Sequence, residues 1–463
     1  MANRSQQKRL IKDSELPGFC LEHHFGLGSI FLKERKENLI ATCDLLIREA
    51  PRRNFLVAGG LEAIISFLSN LHYSNKVITH LLKAKRISKN FASYLKNFSF
   101  SGDVYALPEG TVYFPGEPLL RITAPIIEAY LITDQLIALA NIDTLLLSKL
   151  ARVRLSAKDI KCSIGFVRAH GIDAGWRAAR NSLFFKNMGF NNVSVALRLG
   201  FEATASAFNA NHAFIKSFDY ELEALRVAAR NFPDAISPMF DTYDIEQGII
   251  NVIKVADELK AKGKHLSSIV VDSGDLLEVA KYARKKLDKA GHAKTKIAVS
   301  SNLDEYKISK FIKAGIPADM FLLVTEIVTS ADAPKLETVY KVAQIEEGSS
   351  VRYTAKFSPG KLSLPGKKQI YRRLKGGKID KDIIGLDDEK LGQPLLVPIF
   401  KKGKLVYQTP SIEERRNYTT KQLSQLPSKL KDIFNDHKAP LEISAKIKEL
   451  LEMVRSQHIL HDR

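Results

Sequence analysis

Short acidic and hydroxyl clusters, and one histidine, carry the residue types that chemistry needs. Asp272-Ser273-Gly274-Asp275 follows the apolar run Ser268-Ile269-Val270-Val271 and precedes a helical pattern. Ser or Asp at such a point caps the helix, and the glycine permits the turn. The same backbone N–H groups and hydroxyl form an anion site, while the carboxylates are free to take a cation. Both uses are compatible. Asp241-Thr242-Tyr243-Asp244 is a second such cluster, after Ser237-Pro238-Met239-Phe240, and Ser300-Ser301-Asn302 and Thr325-Glu326 end two further apolar runs. His212 stands in Asn209-Ala210-Asn211-His212-Ala213-Phe214. A histidine in apolar surroundings is either a hydrogen-bonded core residue or, if a neighbour orients its second nitrogen, a competent nucleophile.

The elements that must position these residues are legible in the spacing. The apolar runs recur at about the length of one strand-plus-helix unit, about 30 residues, and the stretches between them, Glu246 to Leu259, Leu276 to Leu287 and Leu303 to Ala314, have helical periodicity. Strands that read as continuous apolar runs are buried on both faces. Such parallel sheets put their working residues at the strands' carboxyl ends. Asp241, Asp272, Ser301 and Thr325 are therefore expected at one rim of a parallel barrel. Upstream, Ile30 to Glu49 reads as a charged helix, Asn54 to Ala58 as a strand and Leu61 to Leu71 as an apolar helix. Short strands punctuated by Pro and Gly follow between 103 and 122, and then a long helical stretch, Ile126 to Leu155.

The chain has 463 residues and a net charge of +19, with a basic excess beyond residue 351. That balance suits phosphates, nucleotides and other anionic partners. Aromatics are not interleaved with Lys367-Lys368 or Arg372-Arg373-Leu374-Lys375, which argues against a nucleic-acid groove. Cys20, Cys43 and Cys162 form no CxxC pair and read as isolated thiols of a reducing cytosol. No apolar core follows the basic start, so no secretory signal is expected. Ile126 to Leu150 is broken by Glu128, Asp134, Asn141, Asp143 and Lys149 and reads as a buried helix, not a membrane span.

From about residue 50 onward the order of motifs resembles the nicotinate phosphoribosyltransferase family. The resemblance runs through Phe100-Ser101-Gly102-Asp103-Val104, Ala106-Leu107-Pro108-Glu109-Gly110, Phe114-Pro115-Gly116-Glu117-Pro118, Lys149-Leu150-Ala151-Arg152 and Arg168-Ala169-His170-Gly171. It continues with the two acidic clusters, Ser301-Asn302-Leu303-Asp304-Glu305, Val339-Tyr340-Lys341, Lys356-Phe357-Ser358 and Pro365-Gly366-Lys367-Lys368. It implies an α/β fold: an irregular αβ barrel of the type II phosphoribosyltransferase kind at 146–345, beside an α+β domain built from 1–145 and 346–463. It also implies an enzyme of NAD salvage, cytoplasmic and homodimeric. Such an enzyme joins nicotinate to phosphoribosyl pyrophosphate, giving nicotinate mononucleotide and pyrophosphate, with Mg²⁺ and coupled ATP hydrolysis through a phosphorylated histidine.

Carried onto this chain, the resemblance makes His212 the phosphorylated residue and Asp272 its catalytic companion, meeting the ribose or Mg²⁺. Arg168, Asn192, Ser273, Gly274, Asp275 and Thr325 become substrate contacts, and Asp241 and Asp244 orienting groups or metal neighbours. The metal ligands stay unassigned. The chain also departs from the pattern. An acidic residue, Phe, Gly and two arginines become Ser163 to Arg168. A Gly-Val-Gly-Thr loop becomes Leu322-Leu323-Val324-Thr325, whose side chains are expected in space that glycines leave to phosphate. Two alternatives therefore stand beside the enzyme: a catalytically degenerate homologue acting as a binding or regulatory protein, and a phosphoribosyltransferase for another small base.

Overall fold

The computed structural model describes residues 13–201 and 208–459. Contacts divide the chain into two units, one running to Ser148 and resuming at Ala333, the other contiguous from Lys149 to Asp332. The first is built around a seven-stranded sheet. Its order is Ser350–Tyr353, Thr338–Glu347, Ile40–Ile47, Pro118–Pro125, Asp103–Ala106, Val397–Lys401 and Lys404–Leu405, with antiparallel neighbours throughout. Residues 333–345, which the sequence reading places in the barrel, group with the first unit, and from Thr338 they form a strand of this sheet paired with Ile40–Ile47.

Ile30 to Glu49 is not one helix. A helix covers Glu22–Lys33, and Ile40–Ile47 is a central strand with both faces largely covered. In a charged helix Asp44 would face solvent. Instead Asp44 is buried, and its carboxylate meets Lys368 Nζ at 2.7 Å. The basic run around 367–375 is likewise half internal. Lys368 takes that pair, and Arg372 makes a two-pronged contact with buried Asp382, at 2.9 and 2.6 Å.

The second unit carries parallel strands. Met320–Leu323 lies between Lys296–Val299 and Lys161–Ile164, and the row extends to Ser268–Val271 on one side and Met188–Phe190 on the other. Phe208–Ala210 pairs with Ile236–Pro238, and a parallel bridge from Met239 to Val270 joins that pair to the row. The seven strands run in this order around an irregular αβ barrel, joined at one seam by a single bridge and, among the described residues, with no pairing between Met188–Phe190 and Phe208–Ala210.

Helices between the strands start on side-chain caps. Asn192 accepts from Val195 N–H, Asn211 from Phe214 N–H, Asp244 from Gln247 N–H, Asp275 from Leu277 and Glu278 N–H, and Asp304 from Lys307 N–H. The helix Ile245–Ala261 approaches so closely that a Cβ at Gly248 would lie 1.8 Å from the Phe240 carbonyl oxygen. Below the Ser301 turn, buried Glu305 binds Lys149 Nζ and takes 2.8 Å from Arg152 Nε, and Lys149 reaches Asp332 at 2.7 Å. One carboxylate thus compensates two buried cations, with Asp332 supplying the second negative charge.

Candidate active site

Parallel strands put all their carboxyl ends on one side, so His212, Asp241, Asp272, Ser301 and Thr325 share a rim, as expected. His212 opens the short helix His212–Ile215 directly after the strand Phe208–Ala210. Its Nδ1 lies 3.0 Å from Thr242 Oγ1, a hydrogen bond that fixes the ring. Its Nε2 lies 3.8 Å from Asp272 Oδ2 and 3.9 Å from Asp241 Oδ1, too far for hydrogen bonds but close enough for strong charge coupling. The imidazole is 35% exposed, so this is an accessible ring and not a core histidine.

Asp241 is the buried member, with its side chain 2% exposed. Its Oδ2 accepts a hydrogen bond from Ser273 Oγ, while its Oδ1, facing the imidazole, has no hydrogen-bond partner among the described residues. A buried, unpartnered carboxylate oxygen beside a second, 30% exposed carboxylate is a fitting donor set for a hard divalent cation that takes its other ligands from phosphates and water. Asp241 Oδ1 would hold it directly, and Asp272, whose oxygens are not within ligand spacing of that atom, would reach it across a bound water. Behind them, burial lifts the Glu221 carboxyl above its ordinary value. Asn251, donating at 2.8 Å, opposes that shift, and the charges of Asp241 and Asp244 add to it.

Arg168 is exposed and donates to Thr325 Oγ1 at 3.0 Å, so these two expected contacts do meet. Gly274 takes a left-handed φ of +75°, which the turn between Ser273 and the Asp275 cap requires. Asn192, Asp244 and Asp275 spend one side-chain oxygen each on helix caps. Ser301 and Asn302, at φ +81° and +46°, hold two consecutive left-handed non-glycine residues at the rim, the kind of strain that working sites retain.

A cavity of about 780 Å³ runs through the barrel, from Asp159, Lys161 and Lys296 before the strands to Phe166, Asn211 and Val324 after them. Barrel interiors are ordinarily filled by layers of branched side chains. Here Ser163, Ser237 and Ser268 face inward instead. Leu322, Leu323 and Val324 all line this space, as expected of the altered loop, with Leu323 fully buried. Sequence reasoning missed the cavity, and although it placed the orienting group in the cluster 241–244 it singled out Asp241 and Asp244 where Thr242 holds the His212 ring. The inward serines at alternating strand positions were the signal for the first. For the second, the signal was a hydroxyl directly after Asp241.

A parallel αβ barrel with a histidine beside two strand-end carboxylates has the makings of an enzyme's phosphate-handling rim, and comparison with known proteins says which family carries it. Residues 24–141 match the nicotinate phosphoribosyltransferase (NAPRTase) N-terminal domain, and residues 390–451 match the nicotinate phosphoribosyltransferase C-terminal domain. A nicotinate phosphoribosyltransferase of Mycobacterium tuberculosis is 34% identical over 412 residues, covering 88% of this chain and 87% of the relative. That of Bacillus subtilis is 32% identical, covering 94% of each. The crystal structure of human nicotinic acid phosphoribosyltransferase shares the fold, with a TM-score of 0.82 at 22% identity over 94% of this chain and 99% of that one. The chain belongs to the nicotinate phosphoribosyltransferase family.

Proposed function

We propose that the chain is a nicotinate phosphoribosyltransferase that forms nicotinate mononucleotide and pyrophosphate from nicotinate and phosphoribosyl pyrophosphate, driven by ATP through phosphorylation of His212. The observation that carries this is the His212 geometry: Nδ1 held by Thr242, Nε2 open and flanked by Asp241 and Asp272. With the ring proton on Nδ1 donated to Thr242, the Nε2 lone pair is free to attack the γ-phosphorus of ATP, and ADP leaves with the bonding electrons. The ring then carries positive charge, which the two carboxylates stabilise. The same carboxylates repel the incoming phosphate. Mg²⁺ at Asp241 and Asp272 would offset that repulsion and neutralise the pyrophosphate leaving group.

In the transfer step the pyridine nitrogen bonds to the ribose anomeric carbon as pyrophosphate departs. Phe166, the aromatic residue of the cavity lining, offers the base a stacking face, and Arg168 with Thr325 offers a carboxylate or phosphate contact. Val167, Ile172, Val193 and Leu197, each at least 69% exposed, follow two strand ends and supply an apolar face for a second copy, supporting a homodimer. Among the described residues no helix is long and apolar enough to cross a membrane, and a cytoplasmic NAD-salvage role is part of the same proposal.

The test is direct. Purified protein with nicotinate, phosphoribosyl pyrophosphate, ATP and Mg²⁺ should yield the mononucleotide and ADP together, and ATP alone should leave an acid-labile phosphate on the protein. His212→Ala should abolish the adduct and the ATPase activity while costing only about 1 kcal/mol of stability, the worth of one hydrogen bond at a part-exposed site. A parent protein that makes neither product sinks the proposal and leaves a binding or regulatory homologue.

A further inference from the structure

One cluster of side chains in the first unit has no part in the chemistry above. Cys20, His24 and Asp134 bring a thiol sulfur, an imidazole nitrogen and a carboxylate oxygen to within 4.8 Å of one another. Cys20 and His24 stand four residues apart across the start of the helix Glu22–Lys33, and Asp134 lies in the first turn of the helix Thr133–Ala157. The cysteine is therefore not the isolated thiol that its sequence position suggested.

Cys20 Sγ is 3.7 Å from His24 Nδ1, and His24 Nδ1 is 3.3 Å from Asp134 Oδ2. Around a tetrahedral zinc ion with Zn–S of about 2.3 Å and Zn–N and Zn–O of about 2.05 Å, those two edges would be about 3.6 and about 3.3 Å. The observed edges fit. A hydrolytic relay does not fit, because a relay histidine turns one nitrogen to its nucleophile and the other to its carboxylate. Here the same Nδ1 faces both partners, so the three ligand atoms converge on one point. The Leu21 backbone N–H donates to Asp134 Oδ2 at 2.8 Å and sets the carboxylate's orientation, a support that metal ligands ordinarily have.

We propose that Cys20, His24 and Asp134 bind Zn²⁺, with water completing the tetrahedron, and that the ion fastens the segment ahead of the helix Glu22–Lys33 to the helix Thr133–Ala157. Sulfur, nitrogen and oxygen together suit a borderline-soft ion and exclude Mg²⁺ and Ca²⁺, which take oxygen ligands. The same junction carries the hydrogen bond from Leu21 to Asp134 and those from the Gln135 side-chain amide to the Leu16 and Pro17 carbonyls at 3.4 and 3.2 Å. A metal here is a cross-link between distant parts of the chain, and its binding adds to folding stability. Its ligands all belong to the first unit and none takes part in the chemistry proposed for the barrel, so its test is independent of nucleotide chemistry.

Full-length protein stripped with chelator and titrated with Co²⁺ should show a thiolate-to-metal charge-transfer band and the visible bands of tetrahedral cobalt, saturating at one ion per chain. Zn²⁺ should bleach those bands and raise the melting temperature. Cys20→Ser should abolish the charge-transfer band. Asp134→Asn, which keeps an acceptor for Leu21 N–H, should weaken Zn²⁺ binding at least about tenfold by titration calorimetry; this second variant carries the test if Cys20→Ser folds poorly. Absence of the band in the parent protein overturns the proposal. So does a band that survives in Cys20→Ser, or an Asp134→Asn protein that binds Zn²⁺ as tightly as the parent.

Discussion

Asp241→Asn isolates the electrostatic part of the proposed phosphorylation. Asparagine has the shape of aspartate, and its amide oxygen can still accept from Ser273 Oγ, so the fold should lose no more than about 1 kcal/mol, one hydrogen bond's worth. What disappears is a negative charge 3.9 Å from His212 Nε2. At an effective dielectric constant of about 20, unit charges at that distance attract by about 4 kcal/mol. The imidazole is about one-third exposed, and solvent screening trims that figure to roughly 3 kcal/mol. Because charge develops on the ring only as its nitrogen attacks phosphorus, the loss falls on the rate. A barrier raised by about 3 kcal/mol slows phosphorylation by about two orders of magnitude. The apparent Mg²⁺ requirement should rise in parallel, since one of its two carboxylates is gone. Rapid quench with labelled ATP, with the acid-labile adduct counted over time, reads the rate, and chemical denaturation reads the fold. An Asp241→Asn protein that phosphorylates at the parent rate refutes the reasoning. One that unfolds several kcal/mol earlier shows that Asp241 is there for structure.

Gly248→Ala should cost at least about 2 kcal/mol in urea denaturation, because the new Cβ meets the Phe240 carbonyl and backbone must move. Since Asp241 follows Phe240, the same substitution should also lower activity; a neutral outcome would contradict the close approach. Glu128 is buried and its carboxyl is raised above the ordinary value of 4.5 by desolvation, opposed by the Ser101 N–H and hydroxyl, each at 2.7 Å. The folded state therefore holds this proton more tightly than the unfolded chain. Its contribution to stability is full below pH 4.5 and is lost as the pH rises through the folded value. Denaturation curves of Glu128→Gln should be flatter across that window, and a slope matching the parent's would assign the pH dependence elsewhere.

The barrel was legible because its strands are largely apolar, even where Met320 and Leu322 are only half-buried against the cavity. Ser268–Val271, Lys296–Val299 and Met320–Leu323 show as unbroken apolar runs, and the capping Asp and Asn residues mark where each helix starts. The grouping of Asp241, Asp272, Ser301 and Thr325 followed from parallel strands alone. Ile40–Ile47 was not legible, because Asp44 imitates a solvated helix position until Lys368, far along the chain, is seen to neutralise it. Lys368 and Arg372 misled in the same way, as surface charge. The division of labour among the rim residues was also hidden: Asp244 and Asp275 look like Asp241 in sequence, but they cap helices, and only Asp241 keeps a buried oxygen turned toward the histidine.

The two units differ in when their parts leave the ribosome. The barrel is one unbroken stretch, Lys149 to Asp332, and every strand it needs has been synthesised before the chain moves on. The seven-stranded sheet must wait: Ile40–Ile47 emerges early, but its neighbour Thr338–Glu347 comes only after the whole barrel, and the Val397–Lys401 strand later still. Until then an apolar strand has an unpaired edge, and Asp44 is without the lysine that makes its burial tolerable. The insertion thus imposes a birth order in which the barrel can mature on the nascent chain while the older, amino-terminal part still lacks the strands that complete its sheet.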